Sequence, residues 1–372
     1  MRRILQLISR IFGAEQAHSV SIWLLRVANK IPTCKWFLRK IHAVEDKSLE
    51  REVFGLRFPN PIGMAAGFDR NGEVYRPLSA MGFGFVEIGT VTPRSQQGNP
   101  KPRVFRLPKD KAILNRIGLS SKGFETVLKN IRKEHNGIIL GCNIGKNTIT
   151  PSADAAKDYL RVFRNLYQYI DYFSVNVSYN TTHNQHIPRT RESIMNILEP
   201  LFDFRRGQNE YRPILLKISP DLTDEEIDLM TDIMVETPLD GIIATNATTL
   251  PTSLHTPQEE LDTLGVGAVS GAPLTERSIE IVRRIHERCN GTYPIIGSGG
   301  IMSGEDAKRM MEAGATLVQV YTGFIYNGVG FPGKLCKSLI QPKVEPVEIE
   351  LNDEESDTAA ESDSTQTADI QK

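Results

Sequence analysis

Through most of the chain, short apolar and β-branched runs alternate with charged stretches of helical periodicity. The runs are Pro61–Gly67, Phe85–Val91, Ile138–Ile144, Tyr172–Val177, Ile214–Ile218, Gly241–Asn246, Pro294–Gly299 and Leu317–Tyr321. Their length and their β-branched and aromatic content predict strands. Ala155–Leu166, Asp224–Val235, Thr275–Cys289 and Gly304–Ala313 carry apolar residues at the spacing of one helix face. Strands alternating with helices predict parallel βαβ units. Eight such units over about 260 residues predict an α/β fold, a closed (β/α)8 TIM barrel, with an open doubly wound sheet as the alternative.

The pattern changes at both ends. In residues 1–45, Ile4, Leu5, Leu7, Ile8, Ile11 and Phe12 recur at helical spacing with Arg2, Arg3 and Arg10 around them. A second stretch holds Val20, Ile22, Trp23, Leu24, Leu25 and Val27 and is expected to end before Pro32. Two short basic helices with apolar faces suit a membrane surface; helices packed on the body of the protein are the other reading. From about Lys343 the chain is acidic, with Glu345, Glu348, Glu350, Asp353, Glu354, Glu355, Asp357, Glu361, Asp363 and Asp369 among Ser, Thr, Ala and Gln. Such a composition buries too little apolar surface to offset chain entropy, so a disordered tail dispensable for chemistry is expected there. The chain thus divides into a helical docking segment at 1–45, a barrel at 46–340 and a tail at 341–372.

The chain has 372 residues, 40% of them hydrophobic, enough for a sizeable core. A net charge of −1 argues against a general nucleic-acid binder. Cys34, Cys142, Cys289 and Cys336 are far apart, so neither a disulfide framework nor a zinc site is expected, and a reducing compartment fits. No apolar run reaches the roughly 18 to 20 residues needed to span a bilayer, and no secretory signal is expected. The seven histidines form no metal-binding pattern, and His183 and His186 read as solvated in a polar loop. No metal is expected.

In a barrel of this type the active site lies at the C-terminal strand ends. Those ends read Ala65-Ala66-Gly67-Phe68-Asp69-Arg70, Gly89-Thr90, Asn143–Asn147, Asn176–Tyr179, Lys217, Thr245-Asn246, Gly297–Gly300 and Tyr321-Thr322. Buried Asn and Lys need partners, which a polar planar ligand would supply. Gly299-Gly300 before the helix at Gly304, and Ser270-Gly271 before Pro273, read as backbone cradles for a phosphate. No Rossmann or P-loop fingerprint is present. FMN, with one phosphate and a planar ring, fits. Lys217 could stabilise the reduced ring; a buried salt bridge is its other reading.

Several long motifs closely resemble class 2, quinone-dependent dihydroorotate dehydrogenases. They are Asn60–Asp69, Met81–Pro93, Gly98–Leu107, Asn143–Asn147, Lys217–Leu222 and Pro294–Gly300, within a resemblance running from about residue 14 to 335. The resemblance implies oxidation of dihydroorotate to orotate in pyrimidine synthesis: a base takes the C5 proton, hydride moves from C6 to the flavin, and quinone reoxidises it. It implies FMN held by Ala65, Ala66, Gly67, Phe68, Asp69, Thr90, Asn143, Asn176, Lys217, Thr245, Gly271, Gly299, Gly300, Tyr321 and Thr322. It implies substrate contacts from Arg70, Asn115, Arg116, Ile117, Gly118, Leu119, Asn176, Asn180, Thr181, Asn246 and Ala247. A quinone tunnel lined by His18, Arg106 and Tyr321 would open through the N-terminal helices. The expected protein is a monomer attached peripherally to the cytoplasmic side of a bacterial-type membrane.

The departures concentrate at the reacting centre. The family's loop reads Asn-x-Ser-Ser-Pro-Asn-Thr, with the second Ser as base. Here it reads Asn176-Val177-Ser178-Tyr179-Asn180-Thr181, so without a gap the base position falls on Tyr179, and with one residue deleted Ser178 or Tyr179 flanks the site and Asn180-Thr181 match the family's Asn-Thr. Arg70 stands at the usual Lys, and Leu119 and Ala247 replace an aromatic and a hydroxyl residue. A phenol could accept the proton if Arg70 lowered its pKa. Three readings stay open: a dehydrogenase with an altered base, an FMN barrel with impaired or altered substrate chemistry, and a non-enzymatic membrane scaffold.

Overall fold

The computed structural model describes residues 13–131, 137–177, 187–251 and 254–340. The expected helix at Ile4–Phe12, the tail at 341–372 and the loop residues Ser178, Tyr179, Asn180, Thr181, His183 and His186 lie outside the described residues.

The described strands are β1 (Arg51–Val53), β2 (Leu56–Phe58), β3 (Ile62–Met64), β4 (Phe85–Val91), β5 (Val104–Leu107), β6 (Ala112–Asn115), β7 (Ile139–Ile144), β8 (Tyr172–Asn176), β9 (Ile214–Ile218), β10 (Gly241–Ala244), β11 (Ala268–Gly271), β12 (Ile295–Ser298) and β13 (Leu317–Val320). Eight of them close a barrel in the order β3-β4-β7-β8-β9-β10-β12-β13, with β13 pairing back to β3. These are the eight runs read as strands, and the open sheet is excluded. Helices run over Ala155–Leu166, Asp224–Glu236, Thr275–Arg288 and Gly304–Glu312, within a residue or so of expectation. The start at Asp224 is fixed by a capping box between Thr223 and Glu226, which satisfies two otherwise orphaned backbone donors.

Successive side chains on a strand point to opposite faces, so the barrel interior is filled by every second residue. Phe85, Tyr172, Leu215, Ile243, Ile296 and Leu317 form an apolar bottom layer with Val53 and Phe58 of the β1–β2 hairpin. Phe58 meets Phe85 edge-on at 5.2 Å. Two of the barrel glycines make room for these rings: a Cβ on Gly63 would lie 2.2 Å from the Phe85 ring, and one on Gly141 2.1 Å from that of Tyr172. Two residues further along each strand come Glu87, Ser174, Lys217, Thr245, Ser298 and Gln319, all buried. The middle of the barrel is therefore polar, which the apolar character of the runs conceals.

Two features depart from the expected plan. Strands β5, β6 and β11 form an antiparallel sheet outside the barrel, with its own small core of Leu107, Ala112, Leu114 and Val269. Gly271 therefore ends an accessory strand, not a barrel strand. At the N-terminus, α1 spans Ala14–Lys30 and α2 spans Pro32–His42. Pro32 does end the first of these, but it also opens the second from its first turn, where its missing N–H costs nothing.

Candidate active site

The C-terminal strand ends, the accessory sheet and the two N-terminal helices enclose one cavity of about 2210 Å³. That exceeds the ~300–1,000 Å³ of a typical single-ligand site and leaves room for more than one small molecule. Among the described candidates, Ala65, Ala66, Gly67, Phe68, Arg70, Thr90, Asn115 to Leu119, Asn143, Asn176, Lys217, Thr245, Asn246 and Ala247 line it. So do Gly271, Gly299, Gly300, Tyr321, Thr322, His18 and Arg106. Residues scattered over three hundred positions thus converge on one space.

Asp69 is the exception among the described candidates. It is buried away from the cavity, and its carboxylate accepts the backbone N–H groups of Glu73 and Val74 at 2.8 and 2.7 Å. Burial pushes this carboxyl up to about 6, against the pull of those two donors. Its work is to fix the turn that follows Phe68, a role that short polar side chains fill readily and that sequence cannot tell from ligand binding.

The helix start at Gly304 also differs from the reading of it as a phosphate cradle. Ser303 caps it by accepting from the Asp306 N–H, while the Asp306 carboxylate takes the Met302 N–H at 3.0 Å. An acidic side chain already fills that helix end. Gly299 and Gly300 have positive φ for a different reason: a Cβ on either would lie 2.4 Å from Ser278 Oγ or 2.3 Å from the Thr275 backbone. They let the loop lie flat against the start of the Thr275–Arg288 helix. Ser270 and Thr322 bond each other at 2.8 Å and join the accessory sheet to the last barrel strand on this side.

The floor is a connected polar network. Lys217 Nζ stands 3.6 Å from Glu87 Oε1, both side chains almost wholly buried. The salt-bridge reading of Lys217 and its place in the cavity are thus both observed. Asn143 donates to Ser174 Oγ at 2.7 Å and accepts from Thr90 Oγ1 at 2.5 Å. Asn176 donates to Thr90 at 3.2 Å. Glu87, Ser174 and Gln319 escaped the sequence reading. The signal for Glu87 was present, since it falls between Phe85 and Gly89 on the inward parity of its strand.

Towards the N-terminal helices, His18 meets Phe68 edge-on at 5.1 Å. Burial, reinforced by the Arg70 guanidinium and opposed by Glu15, lowers its pKa to about 4. His18 is therefore a neutral imidazole at pH 7, with one donor and one acceptor. Burial also raises the Tyr321 phenol, with Arg70 pulling the other way. Arg70, expected on the substrate side, thus acts on His18 and Tyr321, and its Nε donates to the Gly67 carbonyl at 3.2 Å. Arg116 lies over the Phe105 ring at 4.9 Å and donates to the Leu264 carbonyl, which fastens the loop before β11.

The depressed His18 gives a pH test. The unfolded chain binds a proton below its ordinary value of 6.5, while the folded chain does so only near 4, so stability falls as pH falls through that window. Between pH 7 and pH 5 the loss is expected to be roughly 1–2 kcal/mol. Denaturant titration of the wild type and His18→Gln at both pH values checks it, since glutamine should remove that part of the slope.

Helix α1 is pinned at the cavity mouth. Glu15 takes two contacts of 2.9 Å from the buried Arg103, which also donates to the carbonyls of Gln97 and Asn99. Trp23, Leu24, Val27, Ile31, Trp36, Phe37 and Ile41 are seven of the twelve exposed large apolar side chains among the described residues. Leu24 and Phe37 also line the cavity, which therefore opens onto this apolar face. Among the described residues, no helix is long and apolar enough to cross a membrane, and no group of three acidic, Cys or His side chains could hold a metal.

A family model described as dihydroorotate dehydrogenase matches residues 48–342. The chain is 44% identical over 317 residues to a dihydroorotate dehydrogenase (quinone) of Christiangramia forsetii, covering 85% of this chain and 92% of that one. It is 44% identical over 336 residues to the protein of the same name from Thermosynechococcus vestitus, covering 88% and 90%. A crystal structure of DHODH in complex with ferulenol from Eimeria tenella superposes with a TM-score of 0.78 at 34% identity, over 87% of this chain and 90% of that one.

Proposed function

The chain belongs to the dihydroorotate dehydrogenase family, as a quinone-dependent, flavin-using enzyme that oxidises dihydroorotate to orotate in pyrimidine synthesis, and from that premise we propose how its residues divide the work. The flavin is FMN, which when bound takes the hydride from the substrate and hands the electrons to quinone. One observation carries the assignment: a single cavity runs from a floor of Lys217, Asn143 and Asn176 to an exposed apolar face on α1 and α2.

The floor fits the group. The Lys217 ammonium has no hydrogen bond among the described residues, only the Glu87 carboxylate at 3.6 Å. A buried ammonium in that state needs further acceptors, and the flavin ring supplies them. Gly271, Gly299, Gly300 and Thr322 line the same cavity and, by their match to the family, would hold the phosphate. Asn115 to Leu119, Asn176, Asn246 and Ala247, which line the same cavity, would orient dihydroorotate against the flavin. Asn180 and Thr181 complete that set by their match to the family motif, and Tyr179, with Ser178 as the alternative, takes the C5 proton.

His18, Arg106 and Tyr321 would receive the quinone, with Arg70 beside His18 and Tyr321. Residues 1–45 dock on the membrane surface, with their apolar side chains in the interface and Arg26, Lys30, Lys35 and Lys40 towards anionic headgroups. The protein acts as a monomer attached peripherally at the cytoplasmic side of a bacterial-type membrane.

Anaerobic dihydroorotate is expected to bleach the flavin absorbance, and added quinone to restore it. Bound FMN that dihydroorotate leaves oxidised would overturn the assignment. Glu15→Gln separates the two halves. Weakening the α1 anchor by about 1 kcal/mol should raise the KM for quinone roughly fivefold and leave bleaching unchanged. Equal losses in both halves would contradict the docking role.

A further inference from the structure

We propose that Glu87 is a positioning residue for the flavin chemistry: its buried carboxylate holds the Lys217 ammonium and sets how much of that positive charge reaches the reduced ring. This rests on the reading above that Lys217 faces FMN.

Glu87 lies in the polar middle layer, directly beneath the cavity floor, and is fully buried. Groups from four other strands converge on it. Tyr172 donates at 3.0 Å, Ser174 at 2.9 Å, Asn143 at 3.3 Å and Gln319 at 2.7 Å. Lys217 adds its charge at 3.6 Å. Three of these five, Asn143, Lys217 and Gln319, line the cavity, while Tyr172 and Ser174 do not. The carboxylate therefore ties the groups that face the ligand to groups that form the foundation.

Stability alone does not account for such an arrangement. Well-packed apolar residues in place of a buried ion pair are often neutral or stabilising, and the layer immediately below is apolar. Orientation does account for it. A carboxylate only accepts, so Gln319 must present Nε2 to Glu87 and keep Oε1 as its acceptor end. That buried Oε1 has no partner among the described residues. Asn143 likewise turns its NH2 downward and its carbonyl towards Thr90. Lys217 has its charge partner on one side only, at ion-pair distance, so its N–H groups are available to a ligand. With Glu87 present, the floor carries a compensated pair. Without that negative charge the ammonium acts undiminished on the ring.

The test is the two-electron midpoint potential of FMN-reconstituted protein, measured by dye equilibration. Glu87→Gln is expected to raise it by at least a tenfold change in the oxidised-to-reduced ratio, about 30 mV for a two-electron couple. Lys217→Met is expected to lower it. Glu87→Asp retracts the carboxylate but keeps its charge, so its potential should fall between those of wild type and Glu87→Gln. In the double variant Glu87→Gln with Lys217→Met, the Glu87 effect should fall below half, because the two act through one contact. An unchanged potential in flavin-loaded Glu87→Gln overturns the proposal. If that variant does not fold, an unchanged potential in Glu87→Asp does so. Failure of the wild type to take FMN, or an unaltered potential in Lys217→Met, would instead sink the floor assignment itself.

Discussion

Lys217→Met enzyme is expected to be bleached by dihydroorotate about 10²–10³ times more slowly than wild type, even when saturated with FMN. That range is the usual cost of removing one preorganised group aimed at developing charge. Three features make Lys217 such a group. It sits at inward parity on β9, two residues beyond Leu215 of the apolar bottom layer. Its ammonium lies at the cavity floor with one partner, Glu87, at 3.6 Å. Its strand pairs on both sides within the closed barrel, so it cannot withdraw. Methionine keeps most of the volume and removes the charge, so packing loss is small. Stopped-flow bleaching under anaerobic conditions measures the effect. A wild-type rate in flavin-saturated Lys217→Met would remove the residue from the chemistry.

The second large effect concerns the loop after Asn176. Tyr179→Phe is expected to slow bleaching by about 10²–10⁴, the usual worth of a general base. A phenol ordinarily titrates near 10, so the wild-type rate should rise with pH across the neutral range while Tyr179→Phe stays slow and flat. Ser178→Ala supplies the opposite case. If serine is the base, that variant takes the loss and Tyr179→Phe keeps its rate. Among the described residues the Arg70 guanidinium bears on His18 and Tyr321.

The barrel was legible because its signal is local. Each strand is a short run bounded by polar residues or glycine, and each helix shows one apolar face, so periodicity separates them without knowledge of contacts. The boundaries at Ala155–Leu166 and Asp224 came out within a residue for that reason. The accessory sheet was not legible. Val104–Leu107 and Ala112–Asn115 are four-residue strands interrupted by a turn, and β11 joins them from some 150 residues away. Nothing in either segment announces the other. Asp69 was misassigned by the same limit, because a carboxylate that fixes a turn and one that binds a ligand look alike in a motif.

The sequence by itself determined the repeating βα plan, the polar and glycine-rich strand ends, the amphipathic N-terminal segment and the place where the loop after Asn176 departs from the family motif. All of these are properties of neighbours along the chain. Only the tertiary structure decided that Asn143, Lys217 and Gln319 meet at the Glu87 carboxylate, that Arg70 belongs with His18, and that residues of α1 and α2 line the cavity. Those facts depend on barrel closure, which brings residues more than 200 positions apart within 3 Å, as it does for Glu87 and Gln319 at 2.7 Å. Local pattern selects the elements; the stagger and closure of the barrel select which inward residues share a layer.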